Sequence, residues 1–156
     1  MAKKWTADAA LVSSLATNLV EALPLFPKRM IRMDAIVRAY GMPFSHIQIL
    51  VMIRNGPASI GELSSKLCIA KPNITPLVDS LRDQGFVERV RDEQDRRIVN
   101  VRMLPAGHEK LDEIQRSIVE QVVIWPGEFS RSEMKELNNA LASIIRIVQG
   151  IGEIDV

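Results

Sequence analysis

One cysteine in 156 residues, Cys68, leaves no partner for an internal disulfide. The two histidines, His46 and His108, lie far apart in the chain, with no set of carboxylates or thiols gathered around them. A disulfide scaffold and a metal-built core are both excluded as sources of stability. The cysteine count predicts a reducing, cytoplasmic setting, and the start MAKKWTADAAL lacks the apolar run and small-residue cleavage site of a secretory leader. No stretch approaches the roughly 18 consecutive apolar residues that a membrane helix needs. Arg29, Arg32, Asp34 and Arg38 interrupt even the methionine-rich segment. Also missing are a nucleophile with its base, paired carboxylates, and a phosphate-cradling loop at usable spacing, so the sequence predicts no enzyme and no cofactor.

What is present is the balance of a globular protein, 47% apolar and 25% charged, at the length of one ordinary domain. The charge is unevenly spread: Lys plus Arg against Asp plus Glu is 7 to 3 in residues 1–58, 8 to 7 in 59–104, and 5 to 9 in 105–156. The front and middle are therefore the parts suited to meet a polyanion, and the acidic end faces away from it.

Leu11, Leu15, Leu19 and Leu23 fall on a four-residue stride joined by Val12 and Val20, which predicts an amphipathic helix over 6–23. Pro24 and Pro27 break it before a second helix over about 28–40, closed by Gly41. Ser45 with Gln48 reads as a capping box opening a helix to about Asn55, and Ser59 with Glu62 as another opening a short helix through Leu67. After a tight turn, Ile74, Leu77, Val78 and Leu81 stripe a helix over 71–84 that Gly85 stops. The period then changes to two over 86–91 and 98–103, on either side of the charged tip 92–97: a hairpin. Beyond Pro105, Leu111, Ile114, Ile118, Val122 and Trp125 mark one long helix. Ser130 with Glu133 caps a last one bearing Leu137, Leu141, Ile144, Ile145 and Val148. The fold predicted is mainly α with a small β-hairpin wing: a winged helix-turn-helix at 45–104, with dimerisation helices at 1–40 and 105–156, in a single domain spanning 1–156.

The second helix of a helix-turn-helix enters the DNA major groove with its first turns against base edges. Here those turns carry Lys71, Asn73 and Thr75: a cation for phosphate or guanine, an amide suited to adenine, and a hydroxyl with a methyl group. At the wing tip Arg96 and Arg97 are suited to a minor groove, and Asp95 to a hydrogen-bond anchor that orients Arg97 or a neighbouring arginine.

Glu62-Leu63, Lys71-Pro-Asn-Ile-Thr75, Leu77-Val-Asp-Ser-Leu81, Gly85-Phe-Val-Glu-Arg89, Asp95-Arg-Arg97 and Gly107 together resemble the MarR family of bacterial transcription regulators. The resemblance implies a homodimer with interlocking N- and C-terminal helices, two winged units straddling a palindromic DNA operator, repression as the commoner mode, and often a small ligand that releases the DNA. It places recognition at Lys71, Asn73 and Thr75 and wing contacts at Asp95, Arg96 and Arg97. Three positions depart from the pattern: Ala70 stands for a capping serine, Pro76 for a basic residue, and Leu104 for a threonine.

Dimerisation also follows from the stripes themselves, since a small winged unit cannot cover the apolar faces of three further helices. Leu11, Leu15, Leu141 and Val148 are the interface positions read from them, with ordinary intrachain core as the alternative. Met30, Met33, Met42 and Met52 with Phe26, Tyr40 and Phe44 form a candidate pocket for a small apolar or aromatic ligand, Met30, Met33, Tyr40 and Met52 foremost. Cys68 reads as a small buried hydrophobe, and the two histidines as surface or capping residues. The rival reading is a winged helix that binds a protein and no DNA, because fold alone does not fix function.

Overall fold

The computed structural model describes residues 8–22, 31–92, 94–123 and 129–149. Among them run helices α1 (Ala9–Ala22), α2 (Met33–Tyr40) and α3 (Phe44–Met52), strand β1 (Ala58–Ser59), helices α4 (Ile60–Leu67) and α5 (Lys71–Asp83), strands β2 (Val87–Arg91) and β3 (Val99–Met103), and helices α6 (Pro105–Val123) and α7 (Arg131–Gln149). This is the predicted order of elements, with one strand added. The predicted break at Pro24 and Pro27, Phe26, Met30 and Trp125 fall outside the described residues.

Local chemistry accounts for most helix ends. Asp8 caps α1, its Oδ1 accepting from the amides of Ala10 and Leu11 at 3.0 and 3.3 Å. Gly41 closes α2 in the left-handed conformation, φ 60°. Ser130 and Glu133 form the predicted capping box of α7, with reciprocal bonds of 2.7 and 3.3 Å. The box predicted at Ser45 and Gln48 is absent: α3 starts one residue earlier, at Phe44, with Pro43 as its N-cap and no side-chain bond. Proline fixes an entering φ suited to a helix start, and that geometry displaces the serine into the first turn.

The sheet is three-stranded and antiparallel in the order β1-β3-β2, with Ala58 opposite Val101 and Val87 opposite Met103. β1 escapes a periodicity reading because two residues cannot show a period. Val87, Val101 and Met103 turn inward, while the outward pair Glu88 and Arg102 closes a 2.7 Å ion pair across the strands. Onto the inner face pack Leu63 of α4, Ile74, Val78 and Leu81 of α5, and Ile49, Leu50 and Ile53 of α3 and its end, all essentially without exposed surface. Ile36 of α2 and Leu111 and Ile114 of α6 complete the core.

Gly107, in the first turn of α6, marks the closest approach. A Cβ there would land on the carbonyl oxygen of Phe86 and 2.8 Å from Met103 Cγ. The Leu104 amide donates to that same Phe86 oxygen at 2.9 Å, so α6 begins pressed against the start of the wing.

Helices α1 and α7 differ from the rest in burying no residue. Leu11, Leu15 and Leu19 on α1, and Ile144, Ile145, Ile147 and Val148 on α7, each keep half or more of their surface exposed. Of the predicted interface positions, Leu11, Leu15 and Val148 are exposed and Leu141 is half-buried.

Candidate nucleic-acid interface

The pair α4 and α5 is built from a sound cap, an unusual turn and an uncapped start. Ser59 Oγ accepts from the Glu62 amide at 3.2 Å, and Glu62 Oε2 accepts from the Ser59 amide at 2.7 Å, the predicted capping box. The bond from the Ser59 amide holds the Glu62 carboxyl below the usual carboxylate range. At the far end Cys68 takes the left-handed C-cap position at φ 52°. This corrects the expectation of a buried thiol. The left-handed turn points the side chain outward, where its Sγ faces the Ser65 carbonyl at 3.7 Å and the residue is exposed. The turn is held by the Ile69 amide on the Ser64 carbonyl, 3.1 Å, and by Ser64 Oγ donating to the Ile69 carbonyl, 2.7 Å.

Ala70 then caps α5 without a side-chain bond, and Pro72 stands in the first turn. Asn73 and Ile74 both donate their amides to the Ala70 carbonyl, at 2.8 and 3.2 Å. Helix α5 continues through Pro76, although that residue has no amide to give the Pro72 carbonyl. Ile74, Val78 and Leu81 anchor its inner face. Lys71 and Asn73 are exposed, and Thr75, half-buried, donates its hydroxyl to the Lys71 carbonyl at 3.3 Å. The three predicted recognition residues thus share one turn.

Asp92 organises the wing tip. Its Oδ1 accepts from the amides of Gln94 and Asp95 at 2.9 and 3.0 Å, and its Oδ2 accepts from Asn100 Nδ2 at 2.9 Å. The Asp95 and Gln94 amides lower its pKa. Asp95 in turn accepts the Arg97 amide at 2.9 Å. It anchors backbone and makes no bond to a guanidinium, which narrows the predicted role. Asp92 and Asn100 were not singled out from sequence, although an aspartate two residues before a turn amide is a recognisable Asx-turn signal.

Three arginines of the winged unit are held by carboxylates, Arg82 and Arg89 by Asp79 at 3.1 and 3.0 Å and Arg102 by Glu88, while Arg91 at the end of β2 is exposed and pairs with no carboxylate among the described residues. No carboxylate among the described residues holds Arg96 or Arg97, and both are exposed.

The other predicted features settle differently. Met33, Tyr40 and Met52 are half-buried against the core, Met42 is buried and Phe44 is half exposed. Tyr40 donates its hydroxyl to the Glu113 carbonyl of α6 at 3.1 Å, with the Lys110 ammonium 5.5 Å above its ring. A cavity of about 330 Å³ on α7 is lined by Arg131, Met134, Lys135, Asn138 and Asn139, none of them predicted for a pocket. His46 is buried, which corrects the expectation of a surface or capping position: the start of α3 at Phe44 turns it into the core. Neither ring nitrogen has a hydrogen-bond partner among the described residues, and burial lowers its pKa.

Residues 45–99 match the model of the MarR family. The segment that holds the winged helix-turn-helix is thus similar to the MarR family. Among its relatives is YsmB of Bacillus subtilis, an HTH-type transcriptional regulator, 41% identical over 59 residues that make up 38% of this chain and 40% of that protein. The chain thus spans well under half the length of this relative. A MarR family protein from Bacillus stearothermophilus superimposes with a TM-score of 0.71 at 23% identity, covering 92% of this chain and 99% of that one. NadR, solved in complex with 4-hydroxyphenylacetate, gives 0.62 at 19%, covering 92% and 97%. Both likenesses establish the fold, a MarR-type winged helix-turn-helix.

Proposed function

We propose that this chain is a MarR-family, sequence-reading transcription regulator that binds double-stranded DNA as a homodimer and represses from a palindromic operator. The observation that carries the reading is a cluster of uncompensated arginines at the wing: Arg82, Arg89 and Arg102 are paired within the fold, whereas Arg96 and Arg97 at the tip, like Arg91 at the end of β2, are exposed and meet no carboxylate among the described residues. Guanidinium groups so placed suit a narrow minor groove. Lys71, Asn73 and Thr75, at the start of α5, are the residues assigned to DNA recognition, Asn73 and Thr75 at base edges and Lys71 at phosphate or guanine, and Asp95 keeps the tip in shape behind the two arginines.

The homodimer rests on α1 and α7. Their exposed Leu11, Leu15, Ile144, Ile145 and Val148 find no cover among the described residues, and a twofold partner would supply it while setting two recognition helices about 34 Å apart. Leu141 belongs to the edge of the same surface. Release by a small aromatic ligand at Met33, Tyr40 and Met52 is a subordinate part of the reading, supported by the bond from Tyr40 to α6, which ties the winged unit to the flanking helices.

Selection from a pool of random duplexes at several salt concentrations tests the reading. The expected result is an enriched palindrome bound with a steep salt slope that flattens in the Arg96→Ala/Arg97→Ala protein. Absence of any enriched sequence, with the double variant indistinguishable from wild type, would replace this reading by a winged helix that binds a protein.

A further inference from the structure

We propose that Lys71 is a backbone-phosphate contact and takes no part in reading bases, so that base recognition in the first turn of α5 falls to Asn73 and Thr75. This rests on the chain being a duplex-DNA binder, and it decides which of two roles open to a lysine at the start of a recognition helix is used here.

The assignment comes from where the side chain lies. Lys71 is the first residue of α5, and the Cα–Cβ bond of a helical residue leans toward the N-terminus. In this fold that lean carries the stem back over α4: Lys71 Cε and Nζ stand 3.7 and 3.8 Å from the position a Cβ on Gly61 would occupy. The charge therefore sits above the second residue of α4 and away from the outer face of α5. In a helix-turn-helix the first helix of the pair crosses the sugar–phosphate backbone while the second enters the groove. An ammonium resting on the start of α4 is at the level of phosphates.

Its surroundings leave that charge available. Glu62, the acid next to Gly61, spends its carboxylate on the Ser59 amide at 2.7 Å, and no carboxylate among the described residues pairs with Lys71. Asn73 and Thr75 are equipped for the complementary task. The Asn73 side chain is exposed and makes no hydrogen bond among the described residues, so its amide can take both edges of an adenine. Thr75 has committed its hydroxyl hydrogen to the Lys71 carbonyl, which leaves the oxygen as an acceptor for an exocyclic base amine.

The test compares full-length wild type, Lys71→Gln and Asn73→Ala on the selected site and on a scrambled duplex over a range of salt, with circular dichroism confirming that each variant is folded. Lys71→Gln is expected to weaken both duplexes by the same factor, to keep the same enriched sequence, and to lower the salt slope by about 1 for each lysine removed. Asn73→Ala is expected to lose roughly tenfold or more in discrimination at one base pair of each half-site while keeping the slope. A changed base preference in Lys71→Gln with an unchanged slope overturns the assignment alone. If wild type itself binds no duplex, the regulator reading falls and the assignment falls with it.

Discussion

Two parts of this chain look equally amphipathic in sequence and behave in opposite ways in the structure. In the winged unit, Leu63, Ile74, Val78 and Leu81 lose essentially all their exposed surface to neighbours in the same chain. In α1 and α7 the leucines and isoleucines of an equally regular stripe remain half or more exposed. A hydrophobic period reports that a face will be covered and says nothing of which molecule covers it. On the proposed homodimer the difference is one of molecularity: the stability of the winged unit is a property of one chain, and that of the flanking helices depends on protein concentration.

The sharpest way to break this comparison is a paired substitution. Leu63→Ala, a deletion in the fully buried part, is expected to cost about 3 kcal/mol by denaturant titration, equally at low and high protein concentration. Leu15→Asp on α1 is expected to leave the winged unit folded by circular dichroism and to shift the sedimenting species to monomer. Equal loss of structure in both would show that the two regions form one cooperative core. Gly107→Ala tests the joint between them; forcing a methyl onto the Phe86 carbonyl is expected to cost about 3 kcal/mol, read as a lower denaturation midpoint.

A pH titration separates the regions further. Burial lowers the His46 pKa below its ordinary 6.5, so the unfolded chain takes up the proton first. Stability is then full above the ordinary value and falls as pH drops below it, until the folded pKa is reached. Thermal melts from pH 8 to 5 are expected to show this decline in wild type and a flatter profile in His46→Leu, which keeps the volume apolar. The smallest effect is at the helix-turn-helix turn: Cys68→Gly relieves a left-handed non-glycine residue and is expected to raise stability by about 1 kcal/mol. No change or a loss would show that the turn is already relaxed.

How much could be read beforehand follows the same division. The helices of the winged unit were legible because Ser59 and Gly85 punctuate strong apolar periods, and the hairpin because its period switches to two. The cap at Ser45 was misread because the motif ignores the preceding proline, which sets the backbone first. β1 was invisible because pairing with β3 gives those two residues their extended form. At the candidate site the exposed residues Lys71, Asn73, Arg96 and Arg97 could be named from position alone. The turn at Asp92 left a readable Asx signal that was passed over, whereas its bond to Asn100 and the backward lean of Lys71 could not be named, because both are facts about which atoms meet across a turn.

The seam at Gly107 has a mechanical consequence. With no side chain between them, α6 and the start of the wing share a hydrogen-bonded carbonyl, and Arg54 at the end of α3 grips α6 again through Asp112 and Gln115 at 3.1 and 2.8 Å. A body clamped at two points turns as a lever. In the proposed homodimer a small rotation of α6 about its own axis would sweep the wing tip through a longer arc, gearing the spacing between the two tips to the angle at which the long helices cross.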